Sequence, residues 1–504
     1  MSLAIVNSRA NLGMFAPLIT IEVHISRGLP GLSIVGLPEK GVKESKERVR
    51  CALLNNGFEF PASRAVINLA PADLPKEGAR FDLPIALGIL AATGQIPKNS
   101  LENYEFVGEL ALTGELKSVK GLLPMALAAR KDHRCILIPT ANAKEATVAT
   151  GLIIYATDHL RAVVSHLIGR EILPKIVAEQ LNFTQSNYPD LADVSGQAHA
   201  KRALEIAAAG GHSLLLTGPP GTGKTMLSSR LPGILPDMTE SEAQSTAVVY
   251  SVSVNGFDAE QWARRPFRTP HHTASSVALV GGGNPPKPGE ISLAHHGVLF
   301  LDELPEFDRR VLEALREPLE AGVVSISRAS HQVQFPSRFQ FVAAMNPCPC
   351  GYYGDISGRC HCTSEQVMRY QNRLSGPLLD RIDLHVRVPP LSPALIFNSQ
   401  NEKAESSETV RARVIHARDK QIARSHCTNA ELKSDTITQH CQISENDHAF
   451  LEAALVKLNL STRAYFRILK LARTIADLSH CDNIMQPHIH EALGYRRAVL
   501  QARP

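Results

Sequence analysis

The sequence has few aromatic residues, no long apolar run and little excess of either charge. Only 5% of its 504 residues are aromatic and one is tryptophan, so surfaces on which nucleic-acid bases stack are not expected. No run of 18 apolar residues occurs, and the best candidate, residues 83–94, is too short to cross a bilayer. The segment 1–15 lacks a basic stretch followed by an apolar one, so no signal peptide is expected. These absences exclude membrane and secreted classes and predict a cytoplasmic protein.

The length and the charge balance set weaker limits. A chain of 504 residues is too long for one hydrophobic core, so about two to four domains are expected. Hydrophobic residues make up 44% and charged residues 20%, which excludes a largely disordered chain. The 53 Lys and Arg against 49 Asp and Glu give a net charge of +4, which permits a nucleic-acid partner without arguing for one.

Alternating β-rich and helical patterns predict an α/β multidomain fold. Residues 1–170 alternate short β-rich runs with helical patterns, and a polar stretch predicts a linker at 171–191. Residues 192–395 contain strands that are apolar on both faces, which is typical of buried parallel strands. From 396 to 504 the pattern is mainly helical. We therefore predict an N-terminal α/β domain, a parallel-sheet core and a C-terminal helical domain.

The segment 218–225 is a complete phosphate-binding loop of the form G-x-x-x-x-G-K-T. It follows the apolar segment 212–217 and precedes a helical pattern, so main-chain N–H groups would point at phosphate oxygens. Lys224 would bridge the β- and γ-phosphates of ATP, and Thr225 would hold Mg²⁺. The predicted nucleotide-binding residues of this loop are Gly218, Pro219, Pro220, Gly221, Thr222, Gly223, Lys224 and Thr225.

Two further strands end in polar side chains that suit ATP hydrolysis. Asp302 and Glu303 follow the apolar segment 298–301; Asp302 would bind Mg²⁺ through water and Glu303 would act as the general base. Asn346 ends the next apolar strand and would orient the attacking water. On their own, an exposed acidic strand end and an Asn that caps a turn before Pro347 remain the alternatives. Together with the phosphate loop, these strand ends predict one ATPase site.

These motifs resemble those of the AAA+ ATPases, in particular the magnesium-chelatase-like group. The resemblance rests on the phosphate loop, the acidic strand end, Asn346 and the segments 268–307 and 378–383, and it spans nearly the whole chain. It implies that Arg381 is an arginine finger that reaches the ATP of a neighbouring subunit. It also implies that Arg463 is a nucleotide-sensing arginine of a helical lid, for which an ordinary surface arginine is the alternative. An arginine supplied by a neighbour requires a ring, and the resemblance implies a homo-hexamer.

Residues 1–165 resemble the protease domain of the Lon family, as found in magnesium-chelatase-like proteins. Arg80, within the segment 75–82, falls where Lon carries its serine nucleophile, and Leu123 falls at the catalytic lysine position. A Ser–Lys protease needs a hydroxyl and a neighbouring amine that activates it, and both are absent. The resemblance therefore implies the fold without the protease activity, with a role in DNA handling or ring assembly.

Nine cysteines in a chain without an export signal predict reduced thiols. Four of them form the pattern C-x-C-x₉-C-x-C, and they are Cys348, Cys350, Cys360 and Cys362. Four thiolates suit a tetrahedral structural Zn²⁺, with an iron–sulfur centre or free thiols as the alternatives. Loop hydrogen bonds, rather than metal binding, are expected for two histidine pairs, His271 with His272 and His295 with His296.

Two insertions are candidates for DNA contact, because insertions around the core line the central channel in this branch of AAA+ proteins. They are residues 264–296 and the predicted hairpin 322–334, whose small polar and cationic side chains suit phosphate contacts that ignore sequence. An ordinary solvated β-turn is the alternative for the hairpin. The candidate DNA-contacting residues are Lys287, Ser327, Arg328, Ser330 and His331.

The resemblance implies an ATP-driven DNA helicase or translocase that promotes branch migration during natural transformation and homologous recombination. The implied cofactors are ATP, Mg²⁺ and a structural Zn²⁺, and the implied partners are DNA, further copies of the chain and recombination proteins. Two alternatives remain: an ATPase motor subunit of a metal chelatase and a regulatory scaffold switched by ATP. The N-terminal domain favours the DNA motor, since a chelatase motor normally lacks it.

Overall fold

The computed structural model describes residues 2–177, 188–327, 332–355, 358–390, 404–458 and 460–500. Within these ranges the chain is an α/β structure with two large sheets, each packed against helices. The α/β fold class is therefore confirmed. Among the described residues, no helix is both long enough and apolar enough to cross a bilayer.

A mixed sheet of eight strands organises the N-terminal part of the chain, and a short ribbon of two strands lies beside it. The strands of this part are β1 (Ser2–Arg9), β2 (Leu18–Ser26), β3 (Gly31–Val35), β4 (Arg64–Ala70), β5 (Tyr104–Phe106), β6 (Glu109–Leu110), β7 (Leu116–Lys117), β8 (Cys135–Pro139), β9 (Ile153–Thr157) and β10 (Ile176–Val177). The sheet order is β10-β9-β8-β5-β1-β2-β4-β3, with β6 and β7 paired separately. The helices are α1 (Lys40–Asn55), α2 (Asp82–Ala92), α3 (Leu122–Lys131), α4 (Ala143–Ala146) and α5 (Leu160–Leu167).

Helix α2 forms the centre of this N-terminal core. It is apolar around its whole circumference after Asp82, and such a helix is stable only when it is buried on all sides. It packs against β1 and β2, and all of its residues are buried. A Cβ atom at Gly88 would lie 2.5 Å from Val23, so the glycine permits the close approach of helix and sheet.

The predicted linker 171–191 overlaps the N-terminal sheet. Strand β10 pairs antiparallel with β9, so residues 176 and 177 belong to the edge of the sheet. The polar residues of the predicted linker lie mainly in 178–187, outside the described residues.

A parallel sheet of five strands organises the middle of the chain, and two hairpins project from it. The strands are β11 (Leu214–Thr217), β12 (Phe267–Arg268), β13 (Gly281–Gly282), β14 (Lys287–Pro288), β15 (Val298–Leu301), β16 (Val323–Ser327), β17 (Gln332–Pro336), β18 (Gln340–Met345) and β19 (Leu384–Arg387). The sheet order is β12-β15-β18-β11-β19, and all four pairings are parallel. The carboxyl ends of these strands therefore meet at one edge, where ligands bind in open α/β sheets. The hairpins pair β13 with β14 and β16 with β17.

Helices pack against both faces of the parallel sheet, and further helices of this part pack against those helices. They are α6 (Ala198–Gly210), α7 (Lys224–Ser229), α8 (Leu231–Ile234), α9 (Glu240–Ser251), α10 (Ser276–Val280), α11 (Glu290–Leu293), α12 (Arg309–Ala314), α13 (Arg316–Ala321), α14 (Ser364–Gln371) and α15 (Gly376–Leu379). Strands β11, β15 and β18 are buried on both faces, as their continuous apolar sequences require.

The C-terminal part is helical, as expected. Its helices are α16 (Ser407–Ser425), α17 (Ser434–His440), α18 (Glu445–Lys457), α19 (Thr462–Leu478) and α20 (Gln486–Leu500). Helix α16 packs on α6 and α20 packs on β19. One continuous apolar cluster contains Leu214 and Val342 from the sheet together with Leu469 and Tyr495 from these helices. The C-terminal helices therefore share a core with one face of the parallel sheet.

Helix α3 of the N-terminal part packs against α9 of the middle part. Leu123, which is fully buried, belongs to an apolar cluster with Met238, Val248 and Trp262. The main-chain N–H of Leu123 also donates to Ser251 Oγ at 3.2 Å. Leu123, which falls at the position of the catalytic lysine of Lon, therefore makes an apolar contact between two parts of the chain.

Candidate nucleotide-binding site

The loop 218–225 connects β11 to α7 and needs glycine at several positions. Gly221 and Gly223 have φ values of +78° and +85°, in the left-handed region that favours glycine. A Cβ atom at Gly218 would lie 2.2 Å from the carbonyl oxygen of Val388, so only glycine fits where the loop passes β19. The strand, loop and helix that the motif requires are therefore present, in that order.

Lys224 lies at the base of this loop with its ammonium group fully engaged. Its Nζ donates to the carbonyl oxygens of Gly218 at 2.8 Å and Pro219 at 2.9 Å, and to Asn346 Oδ1 at 3.1 Å. Burial lowers the pKa of Lys224, and the negative charges of Asp302 and Glu303 oppose that shift. The structure thus brings Lys224 and Asn346 together, although they are far apart in the sequence.

The acidic pair at the end of β15 lies beside the same loop. Thr225 Oγ1 donates to Asp302 Oδ2 at 2.6 Å, so a hydroxyl and a carboxylate lie side by side. Both groups offer oxygen ligands of the kind that Mg²⁺ prefers. Glu303 has a φ of +54°, in the left-handed region, and its N–H donates to Asp302 Oδ1 at 2.9 Å. The Glu303 carboxylate is 51% exposed, which leaves it open to water and substrate.

A histidine that the sequence did not mark for catalysis contacts Glu303. His272 Nδ1 lies 3.2 Å from Glu303 Oε2, and the His271 ring lies against His272 with 4.2 Å between ring centroids. His272 follows β12, which neighbours β15 in the sheet. The only sequence signal for a role of His272 is its position after a strand that neighbours β15. Because β12 has only two residues, the sequence does not reveal that strand.

The other histidine pair makes loop hydrogen bonds. His295 Nδ1 accepts from the main-chain N–H of Arg338 at 3.1 Å, and its Nε2 lies 3.0 Å from Ser245 Oγ. Burial and the neighbouring His296 lower the pKa of His295 to about 3, so the ring is neutral. Among the described residues, the four-cysteine group is the only cluster with the ligands and spacing of a metal site.

Arg381 and Arg463 lie in a separate cleft of about 400 Å³ that also contains Glu320, Arg467 and Lys470. Arg381 is buried, and its guanidinium lies 2.5 Å from Glu320 Oε1 and donates to the carbonyl oxygen of Pro377 at 2.8 Å. Arg463 is exposed in the first turn of α19. In the part of the chain that the structure describes, the phosphate loop lines no part of this cleft. The structure therefore brings the two arginines together and keeps them apart from Lys224.

The four cysteines converge, as their spacing predicted. Their sulfur atoms lie within 4.8 Å of one another, with Cys348 Sγ 3.3 Å from Cys350 Sγ and 3.9 Å from Cys360 Sγ. These separations are far above the roughly 2.05 Å of a disulfide, so the thiols are unbonded. Although partial burial opposes it, N–H groups of Tyr352 and His361 lower the pKa of Cys350 to about 6. The thiol is therefore readily available as thiolate, the form that binds metals.

The cysteine loop lies directly against the phosphate loop. A Cβ atom at Gly351 would lie 2.6 Å from Pro220 Cδ, and Gly351 has a φ of +87°. Because Asn346 precedes the first cysteine by two residues and contacts Lys224, the cluster supports one side of the nucleotide-binding edge.

Two of the candidate DNA-contacting residues are described by the structure, and they fall on two adjoining hairpins. Lys287 lies in β14 and Ser327 ends β16, whereas Arg328, Ser330 and His331 lie outside the described residues. A Cβ atom at Gly281 would lie 3.1 Å from Ile326 Cδ1, so the β13–β14 hairpin packs against the β16–β17 hairpin. Two segments that the sequence treated separately therefore form one surface feature.

Models of three magnesium chelatase families match the chain in succession. Residues 21–142 match subunit ChlI of Mg-chelatase, residues 190–396 match magnesium chelatase subunit ChlI, and residues 404–496 match the ChlI C-terminal family. A distant similarity, 22% identity over 212 residues, links 40% of this chain with 25% of the DNA replication licensing factor Mcm6 of Drosophila melanogaster.

Two relatives match over almost their whole length. Competence protein ComM of Haemophilus influenzae is 56% identical over 503 residues, which is 99% of this chain and 98% of that protein. The YifB protein of Escherichia coli is 52% identical over 496 residues, which is 98% of this chain and 97% of that protein. An identity of this size over the full length, with the phosphate loop and acidic strand end at one sheet edge, shows that the chain belongs to the ComM/YifB family of magnesium-chelatase-like AAA+ proteins.

Proposed function

We propose that this protein is an ATP-driven DNA translocase that acts as a homo-hexameric ring and promotes branch migration during natural transformation and homologous recombination. One observation carries the proposal: Lys224, Thr225, Asp302, Glu303 and Asn346 meet at one sheet edge, while the two arginines lie in a different cleft. A hydrolysis site divided in this way is complete only when a second subunit supplies its arginines. The similarity to competence protein ComM supports DNA as the polymer on which the motor acts.

In this proposal, each group at the sheet edge has one role. Lys224 binds the β- and γ-phosphates in place of the carbonyl oxygens that it now contacts, and the loop N–H groups bind the remaining phosphate oxygens. Glu303 accepts a proton from the attacking water, and Asn346 orients that water. Thr225 and Asp302 would hold Mg²⁺, which neutralises charge on the phosphates when it is bound.

The arginine cleft would complete the site of the adjacent subunit. Arg381 would act as the arginine finger and Arg463 as the nucleotide sensor of the C-terminal helical lid. The Arg381 guanidinium forms an ion pair with Glu320 in this structure, so it must leave that carboxylate when it meets the phosphate of the neighbouring subunit. The Glu320 side chain is 53% exposed, whereas the Arg381 side chain is only 7% exposed, so the guanidinium must also leave its buried position in this exchange.

The two adjoining hairpins would contact DNA inside the ring. The side chains of Lys287 and Ser327 suit contacts with the phosphates of the DNA backbone, which do not depend on base sequence. We propose the same role for Arg328, Ser330 and His331. The domain division at 1–170, 171–191, 192–395 and 396–504 is part of the proposal. The N-terminal domain, Lon-like without the Ser–Lys pair, would handle DNA or assist ring assembly.

We propose that the four cysteines hold a structural Zn²⁺. With Zn–S bonds of about 2.3 Å, neighbouring sulfurs of a tetrahedral site lie about 3.8 Å apart. The separations of 3.3, 3.6 and 3.9 Å among Cys348, Cys350 and Cys360 are close to that value. Metal analysis of purified protein should find about one Zn²⁺ per chain, and Cys350→Ser should lose it. Cys427→Ser, outside the cluster, is the matched control. Protein that contains neither zinc nor iron would contradict the site.

The decisive experiment for the function measures ATP hydrolysis with and without a synthetic branched DNA, together with movement of the branch. DNA should stimulate hydrolysis, and branch movement should require ATP. Glu303→Gln should retain DNA binding and lose both activities. An ATPase that is indifferent to DNA would favour the chelatase motor, and ATP-dependent assembly without any movement of the branch would favour the scaffold.

The ring is tested by mixing two inactive variants. Arg381→Ala subunits keep an intact phosphate loop, and Lys224→Ala subunits keep an intact finger. In mixed rings, an Arg381→Ala site beside a Lys224→Ala subunit is complete, so part of the ATPase activity should return. Absence of recovery in mixtures shown to assemble together would contradict a shared site.

A further inference from the structure

The main chain at Arg381 is held by two side chains from different parts of the protein. Its carbonyl oxygen accepts from Ser213 Oγ at 3.0 Å and from Arg467 Nη1 at 2.5 Å. Ser213 immediately precedes β11, the strand that leads to the phosphate loop, and Arg467 lies on α19 of the C-terminal helices. The peptide that carries the proposed arginine finger is therefore fixed to both.

Arg467 makes a second, ionic contact beside the first. Its Nη1 lies 2.6 Å from Asp383 Oδ1, while Asp383 Oδ2 accepts from the main-chain N–H of Ser213 at 3.2 Å. Although burial raises it, Arg467 and His212 hold the pKa of Asp383 well below its usual range. Asp383 is therefore an ionised carboxylate immediately before β19, and Arg467 connects it to the Arg381 carbonyl.

The same network reaches α19 at a second point. His212 Nδ1 lies 3.3 Å from Asp383 Oδ2, and His212 Nε2 lies 2.8 Å from Thr474 Oγ1, two turns after Arg467. Thr474 is fully buried and also accepts from Asn429 Nδ2 at 3.0 Å. Helix α19 is thus bound at two levels to the segment that carries Arg381.

Arg463 lies one turn before Arg467 on this helix. Residues separated by four positions share one face of a helix, so both side chains enter the cleft that contains Arg381. We infer that Arg467 is a positioning residue that joins the Arg381 main chain to the helix carrying Arg463, so that each subunit presents both arginines to its neighbour's ATP as one unit. This inference rests on the proposed division of the hydrolysis site between subunits.

The test compares Arg467→Ala with Arg381→Ala, with Arg413→Ala as a matched control. Arg413 also pairs with acidic groups near the C-terminal helices, Glu205 and Glu405, but it does not line the arginine cleft. Arg467→Ala should bind ATP at its own phosphate loop as wild type does. Its turnover should fall about 10- to 100-fold, because a displacement of about 1 Å in a catalytic group has an effect of that size. Arg413→Ala should retain turnover within about twofold of wild type.

Mixing and a double variant separate positioning from a merely structural role. Arg467→Ala mixed with Lys224→Ala should recover activity as Arg381→Ala does, because the defect lies in what a subunit presents to its neighbour. Added to the double variant Arg381→Ala/Arg463→Ala, Arg467→Ala should lower turnover further by less than about twofold, since it acts through those two side chains. Arg467→Lys, which keeps the charge, should restore part of the turnover.

Four results would overturn the inference. Weaker ATP binding at the variant's own loop would mean that Arg467 serves its own subunit. A further large loss in the Arg381→Ala/Arg463→Ala background would mean that Arg467 contacts the phosphates directly. Recovery for Arg381→Ala mixtures without recovery for Arg467→Ala mixtures would mean that Arg467 only maintains the fold. If neither mixture recovers, the shared site itself is wrong and the inference falls with it.

Discussion

Two loops of this protein connect a strand to a helix and contain a buried lysine, yet only one forms a candidate site. Lys224, the first residue of α7 at the end of the loop from β11, donates to carbonyl oxygens of that loop and to Asn346, which directly follows the neighbouring strand β18. Lys76, between β4 and α2, is fully buried and donates to the carbonyl oxygen of Pro71 in its own loop. Burial lowers the pKa of both lysines, so burial alone does not distinguish them. The difference is the parallel sheet, whose strand ends bring Asp302 and Asn346 to Lys224.

The first prediction is that substitutions of the two buried lysines have different effects on ATP binding. Lys224→Ala should abolish ATP binding and hydrolysis, because the phosphates lose their main cation. Lys76→Met should leave the ATP dissociation constant unchanged, because the ammonium group of that lysine donates to Pro71 of its own loop. Fluorescent-nucleotide titration of the two variants measures the difference directly. Retained ATP binding by Lys224→Ala would contradict the site.

The second prediction separates binding from chemistry at the nucleotide-binding edge. Glu303→Gln should bind ATP normally and hydrolyse it about 10²- to 10⁴-fold more slowly, the range expected for loss of a general base. Steady-state turnover beside nucleotide titration provides the measurement. The exposed Glu317→Gln on α13 is a suitable control. Near-normal turnover in Glu303→Gln would mean that another group accepts the proton.

The third prediction tests whether a Ser–Lys protease site can be restored in the N-terminal part of the chain. The double variant Arg80→Ser with Leu123→Lys introduces the two residue types of the Lon pair but should show no peptidase activity. Leu123 is fully buried against α9, so a lysine there should destabilise the protein by about 3 kcal/mol or more. Urea unfolding of Leu123→Lys and of Leu123→Met, which conserves volume, measures the cost. Equal stability of these two variants would show that the contact with α9 is not tight.

The fourth and smallest effect concerns a carboxylate of the same N-terminal loop. Burial, and then the neighbouring Glu39, raise the pKa of Glu77 to about 7, while the positive charges of Arg80 and Lys287 oppose the shift. A carboxyl whose pKa is raised on folding stabilises the protein while protonated, and this contribution is lost as the pH rises from about 4.5 through 7. Glu77→Gln mimics the protonated form, so it should gain about 1–2 kcal/mol over wild type at pH 8 and nothing at pH 4.5.

Urea unfolding at these two pH values measures the effect, with the exposed Glu102→Gln as control. A gain of equal size at both pH values would show that the glutamine acts through packing and not through titration.

The nucleotide-binding edge was largely predictable from the sequence, because its signals are local. A glycine-rich loop before a lysine, acidic residues after an apolar run and an Asn at a strand end each occupy a few consecutive positions. Parallel strands then place such ends together by geometry. The cysteine cluster was predictable for the same reason, since its four thiols lie within one loop and converge as expected.

The contacts that connect distant segments were not predictable. The pairing of His272 with Glu303 depends on β12 lying beside β15, and two residues of strand give no readable pattern. The Arg381–Glu320 pair and the Arg467–Asp383 pair join segments whose approach is set by the packing of whole helices. One-dimensional spacing contains no information about such approaches.

Local motifs in the amino-acid sequence establish which residue types are present that can bind phosphate, activate water and hold a metal, and in which order they occur. The tertiary packing then decides which of these residues meet. It placed Lys224, Asp302 and Asn346 at one sheet edge, covered Leu123 with α9, and gathered Arg381 and Arg463 in a cleft away from the phosphate loop. Local motifs can be recognised in the sequence because they depend on backbone geometry over a few residues. Which charged groups meet across the fold depends instead on how sheets and helices bury their apolar faces.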